Sequence, residues 1–497
     1  MNVIFSSTIR KLSGAVFSRV VFFLISSLIC SLVLVACGND TPAPTDQPNN
    51  PAVASTATPN VTGGAGTGSG IVAQGVSGSQ PLPTPTPPAV TNRVVLTIWT
   101  GGWKGNTAYE NFLNGQIDKY RSRNPRVTVD WQDYGTDLAQ KFYDATAEGS
   151  KITPPDIVLF NAADIYQFGA KGALADLGQL GGTDLKNDYV SSTFEGLRVG
   201  SVYYGLPWMA STQVTIINKK LWQQAQLDPA KPPTNFTELD AMLPAMVTKT
   251  GQDVTSAWFK PDALGEFLME DISLFSDSGD GGGNKLPTFP SPATIDKWQY
   301  FQTKRKNGSF AKDAFTGSYA DALKRFSANQ LVMVMDGAPL LPGLKNSSPD
   351  LYKDTLVVPH ITGKANVLPM DLQGWVIPKA SRQSADALAF LKFLNSAENQ
   401  LAFAKLSGLV VPTRKSALTD AYITDTTDLQ AQARAIMVQS LEHAKTTASL
   451  LPAPLAPADR DKLVAALNKG LNTIWTTDTS PQAALQEASN SWKEVLK

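Results

Sequence analysis

The chain has 497 residues, of which 42% are hydrophobic and 17% charged, enough apolar content for packed cores and too much for wholesale disorder. Lysine plus arginine and aspartate plus glutamate each number 43, so this near-neutral chain lacks the basic footprint that grips nucleic-acid phosphates. Its two cysteines, Cys30 and Cys37, lie in or beside one apolar run, which excludes disulfides, thiolate metal sites and cysteine nucleophiles from the rest.

The length suits two to four domains. Arg10, Lys11 and Arg19 precede Val20–Ala36, an apolar run without a charge, which is the order of a secretory signal. The run is also just long enough for an uncleaved anchor helix, which is the competing reading. Leu34-Val35-Ala36-Cys37 resembles a bacterial lipobox, which implies a signal peptide over 1–36 and lipidation of Cys37. Either way the remainder is expected outside the cytoplasm, held to the membrane by buried CH₂ groups.

Residues 37–92 read as a lipid-anchored, disordered linker. From Gly38 onward this stretch holds ten prolines, many Gly, Ser and Thr, no aromatic residue, and only Asp40 and Asp46 as charges. It cannot bury enough apolar surface to offset its chain entropy. As a coil it would reach on the order of 40 Å. Its Gly-rich patch at 63–70 lacks the flanking strand and helix of a phosphate loop.

The body begins at Arg93. Val94–Thr100 predicts a buried strand, and Asn106–Arg123 carries apolar residues at helical spacing until Pro125. Val127, Val129 and Trp131 alternate as a second strand, with Trp131 read as core. Leu138, Phe142 and Ala145 mark a helix, and Asp156–Phe160 a third strand. Such alternation predicts a parallel sheet covered on both faces, with ligands collecting beyond the C-terminal ends of its strands. The residues to watch are therefore 101–104, 134–137 and 161–164.

Tyr203–Trp208 breaks this pattern. Strands are predicted at Gln213–Asn218, Leu331–Met335, Thr355–Val358 and Gly374–Pro378. Helices are predicted at Leu221–Leu227, over Thr237–Val247 behind the capping pair Asn235 and Glu238, and from Ser291-Pro292. Asp277–Asn284 is acidic and Gly-rich but lacks the ligand spacing of a calcium loop, so it reads as a turn. Beyond Ala385 the chain is mostly helical.

Several segments, in order, resemble the large sugar-binding type of bacterial extracellular solute-binding protein (family 1) that serves ABC importers. They are Gly172–Leu177, Tyr204–Trp208 leading to Ile217–Leu221, Pro233–Leu239, and Phe326 with Gln330–Gly337. Gly374–Lys379, Ala389–Leu394 with Glu398 and Gln400, and Gly408–Leu418 complete the set. Two positions depart from the family. Ala338-Pro339 follows Gly337 where an aromatic is frequent, so one stacking platform is missing, and Ile217 replaces a frequent tyrosine.

The resemblance implies an α/β, two-lobed, periplasmic-binding-protein-like fold of type II, with hinge strands and a ligand cleft between lobes. The N-terminal lobe is placed at 93–207 and 367–412, the second at 208–366 and 413–497. The implied function is capture of a small solute, a mono- or oligosaccharide, and delivery to the permease subunits of an ABC importer. The protein is expected to be a monomer without catalytic residues, metal or cofactor.

Aromatic faces cover the C–H faces of sugars while fixed polar groups pair with hydroxyls. Trp103, Trp208, Trp258 and Trp375 are the candidate platforms, and Tyr134, Asn161, Asp336 and Arg414 the polar candidates. For each tryptophan core packing competes, and for each polar residue a cap, a turn or an ion pair does. On the ligand reading, Trp208→Ala weakens binding and spares stability.

The enzyme reading has little to build on. Only His360 and His443 are present, and there is no H-E-x-x-H, G-x-S-x-G or phosphate-loop motif. A secreted glycoside-processing enzyme, which needs just two carboxylates, stays open as an alternative. So do a binding protein for a polyol, glycerol phosphodiester or peptide, and an adhesion or scaffold lipoprotein.

Overall fold

A computed structural model of the protein describes residues 92–181, 183–255, 262–277 and 285–497. The expected signal peptide, Cys37, the expected linker as far as Thr91, Trp258 and most of the expected turn at 277–284 lie outside the described residues. In chain order the strands used below are β1 (Val94–Thr100), β2 (Val127–Asp133), β3 (Ile157–Asn161), β4 (Gly205–Thr212), β5 (Val214–Asn218) and β6 (Asp253–Thr255). They continue with β7 (Leu331–Val334), β8 (Thr355–Pro359), β9 (Leu368–Val376), β10 (Val411–Pro412) and β11 (Ala444–Lys445).

Two sheets organise the chain. The first runs β10-β4-β9-β3-β1-β2, with β11 added to the start of β9, and the second runs β8-β5-β7-β6. Only β2, β1 and β3 form the expected parallel set. The neighbours β9 and β4 are antiparallel, because they are the strands by which the chain leaves for the second sheet and returns from it. The result is a mixed α/β, two-lobed molecule rather than one wholly parallel sheet.

Local signals agree with the elements they sit in. Asn106 caps the helix Thr107–Arg123 by accepting from the Ala108 and Tyr109 amides. Asn235 accepts from Glu238 N–H at 2.9 Å to open the helix Phe236–Thr250. Ser291 and Thr294 form a capping box ahead of Pro292.

The segment at Tyr203–Trp208, read from sequence as a break, instead feeds β4. Pro207 is tolerated there because it sits opposite Gly374, at the point where the register between β4 and β9 shifts. Its carbonyl is used by side chains, accepting from Gln400 Nε2 and Thr413 Oγ1, each at 3.0 Å.

The chain passes between sheets at Gln213, between β4 and β5, and returns through 360–367 into β9. A lobe boundary at 207/208 falls inside β4, a continuous strand of the first sheet. The portion after 413 also does not belong wholly to the second lobe. The helix Leu429–Leu441 packs on both β4 and β8, and β11 rejoins β9. Only then do the helices Pro457–Thr476 and Pro481–Val495 fill the core of the second lobe around Trp298, Trp475 and Trp492.

Candidate functional site

The loop after β1 is shaped by one carboxylate. Asp133, the last residue of β2, accepts from Thr100 Oγ1 (2.7 Å), Gly102 N–H (3.0 Å), Trp103 N–H (2.8 Å) and Gly135 N–H (3.0 Å). Burial opposes its charge, but these hydrogen bonds from Thr100, Trp103, Gly135 and Gly102 outweigh it and hold the carboxyl below its usual range. A Cβ at Gly101 would come within 2.7 Å of the Gly135 carbonyl, so the two loops meet backbone to backbone.

That loop turns Trp103 inward. Trp103, Trp208 and Trp375 are 4%, 0% and 0% exposed. Trp103 stacks on Phe403 (centroids 5.0 Å apart, 9° between planes), and Trp208 lies 6.1 Å from both Trp375 and Phe112. A ring with no free face cannot serve as a sugar platform, so all three are core residues of the first lobe. Aromatic content alone could not tell which face of the sheet they occupy.

Arg414 is likewise committed to the scaffold. Its Nε and Nη2 lie 2.7 and 2.6 Å from Asp188 Oδ2, and Nη1 donates to the Asn395 carbonyl at 3.2 Å. Trp131, read as core, is half-buried, with Lys104 Nζ 5.0 Å from its ring centroid. It lines a groove of about 390 Å³ against Glu110, Asn114, Asp118 and Arg121, away from the crossing strands.

The other polar candidates stand at or just beyond strand ends. Tyr134 follows β2 and packs edge-on against Trp99, with centroids 4.7 Å apart. Asn161 is exposed at the end of β3, and its side-chain oxygen accepts from Asp164 N–H at 2.8 Å. Asp336 follows β7 at φ +52°, a left-handed backbone that aspartate tolerates, and accepts from Tyr319 Oη at 2.7 Å. The next residue must be small, since a Cβ at Gly337 would stand 2.6 Å from Ile216 Cγ1.

Three residues of this region escaped sequence reasoning: Tyr319, Asp371 and Gln373. Along β9, Met370 and Leu372 are buried while Asp371 and Gln373 are exposed. In register, Gln373 stands opposite Asn161 and Asp371 opposite Ser211, so the crossing strand carries a polar strip. Burial, Asp336 and Asp371 all push the Tyr319 phenol well above its usual range. Carboxylates of both sheets therefore act on one hydroxyl. The alternation Met-Asp-Leu-Gln was the signal that could have revealed the strip.

Exposed amides and carboxylates such as Asn161, Gln373 and Asp371 can pair with ligand hydroxyls. Among the described residues no cluster of His, Cys, Asp and Glu is arranged to hold a metal ion. His360 is buried, hydrogen-bonds Thr215 Oγ1 through Nδ1 at 3.2 Å, and is pushed down to about 4 by burial and by Lys297. Among the described residues no helix is long and apolar enough to cross a membrane.

Residues 115–431 match the bacterial extracellular solute-binding protein family. No curated protein matches the chain in sequence. Among solved structures, a periplasmic-binding protein of Synechococcus sp. MITs9220 is similar at TM-score 0.65 and 20% identity, covering 80% of this chain and 98% of its own. The GacH receptor of Streptomyces glaucescens GLA.O, solved unliganded and with acarbose, gives TM-score 0.58 and 19% identity over 81% of this chain and 98% of its own. UgpB from Mycobacterium tuberculosis, in complex with glycerophosphocholine, gives TM-score 0.59 and 22% identity over 81% and 98%.

Proposed function

The chain belongs to the bacterial extracellular solute-binding protein family, and from that premise we propose that it is an extracytoplasmic receptor for a small carbohydrate, which it passes to the permease of an ABC importer. The observation that carries this reading is the polar strip of Asn161 on β3 with Gln373 and Asp371 on the crossing strand β9, where Asp371 acts on the Tyr319 phenol that donates to Asp336. Hydroxyl-rich solutes are recognised by fixed amides and carboxylates of this kind. Similarity to receptors solved with acarbose, maltose and maltotetraose supports the sugar class.

Two lobes joined at Gln213 and 360–367 can close by rotation and desolvate the solute. In this reading the first lobe runs from Arg93 to Thr212 and through β9 and β10. Cys37 carries the lipid and the segment to Asn92 is the tether. The molecule works as a monomer and binds without turnover.

Calorimetry on the full chain with maltose, maltotetraose, tagatose and glycerophosphocholine tests the proposal. Saturable binding of a sugar with no new product is expected. Binding of glycerophosphocholine alone would replace the carbohydrate class, and release of a cleaved sugar would replace capture by catalysis.

A further inference from the structure

The helix Ala162–Ala170 begins at the candidate site, capped by Asn161, and packs Phe168 against Phe142 and Phe160 of the first lobe. Its two buried polar side chains turn elsewhere. Asp164 and Gln167 are one turn apart, 6% and 3% exposed, and their side chains find partners on a distant stretch of chain. Gln167 Nε2 donates to the Pro452 carbonyl at 2.9 Å and Oε1 accepts from Leu455 N–H at 2.6 Å. The Asp164 carboxylate pairs with the Arg460 guanidinium.

Arg460 stands in the first turn of the helix Pro457–Thr476. Further along the same helix Leu463, Leu467, Leu471, Ile474 and Trp475 are buried in the core of the second lobe. The three contacts therefore fasten the approach to a second-lobe helix onto a first-lobe helix. Pro452, Pro454 and Pro457 restrict the backbone of that approach.

We infer that Asp164, Gln167 and Arg460 form a permanent clasp between the lobes, the fixed point about which the cleft opens, rather than a latch that parts on opening. Opening by rupture would break the ion pair and both Gln167 hydrogen bonds at once, whereas rotation about the contact keeps all three. The clasp also reaches the site directly. Asn161 spends its side-chain oxygen on Asp164 N–H, which presents its amide NH₂ to the exposed face while Asp164 is held by Arg460. Its purpose rests on the solute-binding reading, but its test does not.

Leu455 N–H reports the clasp, because its partner is the Gln167 side chain. Hydrogen exchange is followed by NMR on the ligand-free full chain labelled with [15N]leucine. The wild-type Leu455 amide is expected to exchange at least about a hundredfold more slowly than an exposed amide. Gln167→Leu and Arg460→Met are each expected to speed it about tenfold or more, with Leu206 and Leu467, one in each lobe, unchanged.

A Leu455 amide that exchanges in the wild type like an exposed one would show that the contact parts, and would overturn the clasp. Equal acceleration at Leu206 and Leu467 would reduce the three residues to general stability and overturn it too. Calorimetry with the sugar panel is a separate measurement, so absence of sugar binding would strike the solute reading and leave the exchange result standing.

Discussion

Gln373 lies directly opposite Asn161 in the antiparallel pairing of β9 with β3. That pairing joins the end of a first-lobe strand to a strand that has just returned from the second sheet, so the two amides meet at the junction rather than within either lobe. Two residues back along β9, Asp371 shares the same exposed face and acts electrostatically on Tyr319 together with Asp336. The crossing strand thus supports the sheet and carries the proposed recognition surface.

The strip should matter to binding and little to folding. Asp371 and Gln373 are exposed, and surface substitutions away from caps and cores usually change stability by about 0.5 kcal/mol or less. Gln373→Ala and Asp371→Asn are each expected to weaken sugar binding about tenfold, the loss of a charge-assisted or buried hydrogen bond, with the melting temperature nearly unchanged. Calorimetry beside thermal unfolding checks this, and unaltered affinity in both variants would remove the strip from the site.

Trp208→Ala should do the reverse of what the platform reading expects. The ring is wholly buried between Trp375, Phe112 and Phe403, so its removal opens a cavity in the first-lobe core. Phe or Trp to Ala changes in such places cost about 3–5 kcal/mol. Denaturant unfolding should show that loss. Full stability with weakened binding would return the ring to the cleft.

The first strands and helices were legible because each carries its own period: alternation in β2 and three-and-four spacing in Thr107–Arg123. β4 was hidden by Gly205 and Pro207, residues that a strand interior accepts only beside a register shift. The tryptophans misled because indole is equally at home in a core and under a sugar. Asp164 and Gln167 gave no local sign of burial, since their partners lie nearly 300 residues later in the chain. What stayed legible of the candidate site were positions at strand ends, Tyr134, Asn161 and Asp336, and what did not were Asp371 and Gln373, whose placement depends on a neighbouring strand.

His360 gives the protein an acid-sensitive element. Burial and the neighbouring Lys297 lower it from 6.5 to about 4, so the folded state keeps it neutral where the unfolded chain takes a proton. Between those values the unfolded state binds more protons, and stability must fall as the pH drops. The loss is on the order of 3 kcal/mol once both values are passed. His360→Gln should flatten this slope between pH 6.5 and 4 in urea unfolding. An identical slope in wild type and variant would assign the acid sensitivity to other groups.

Lys297 is the buried cation of the second lobe, and its loss should be felt at the hinge. Its ammonium lies 3.0 Å from Glu266 Oε2, 3.1 Å from Glu270 Oε1 and 3.7 Å from the Phe236 ring centroid. Glu266 belongs to the short helix Ala263–Met269, which approaches the crossing strand so closely that a Cβ on Gly265 would stand 3.1 Å from Pro369 Cγ. Lys297→Met strips two desolvated carboxylates of their cation, and breaking one side of a buried pair costs about 3–5 kcal/mol. Neutralising the acids as well, in Lys297→Met/Glu266→Gln/Glu270→Gln, should recover much of that loss, because the penalty lies in uncompensated charge rather than in missing volume. Denaturant midpoints of the two variants make the comparison. A triple variant no more stable than Lys297→Met would show that the lysine stem, packed among Phe236, Tyr300 and Phe301, matters more than its charge.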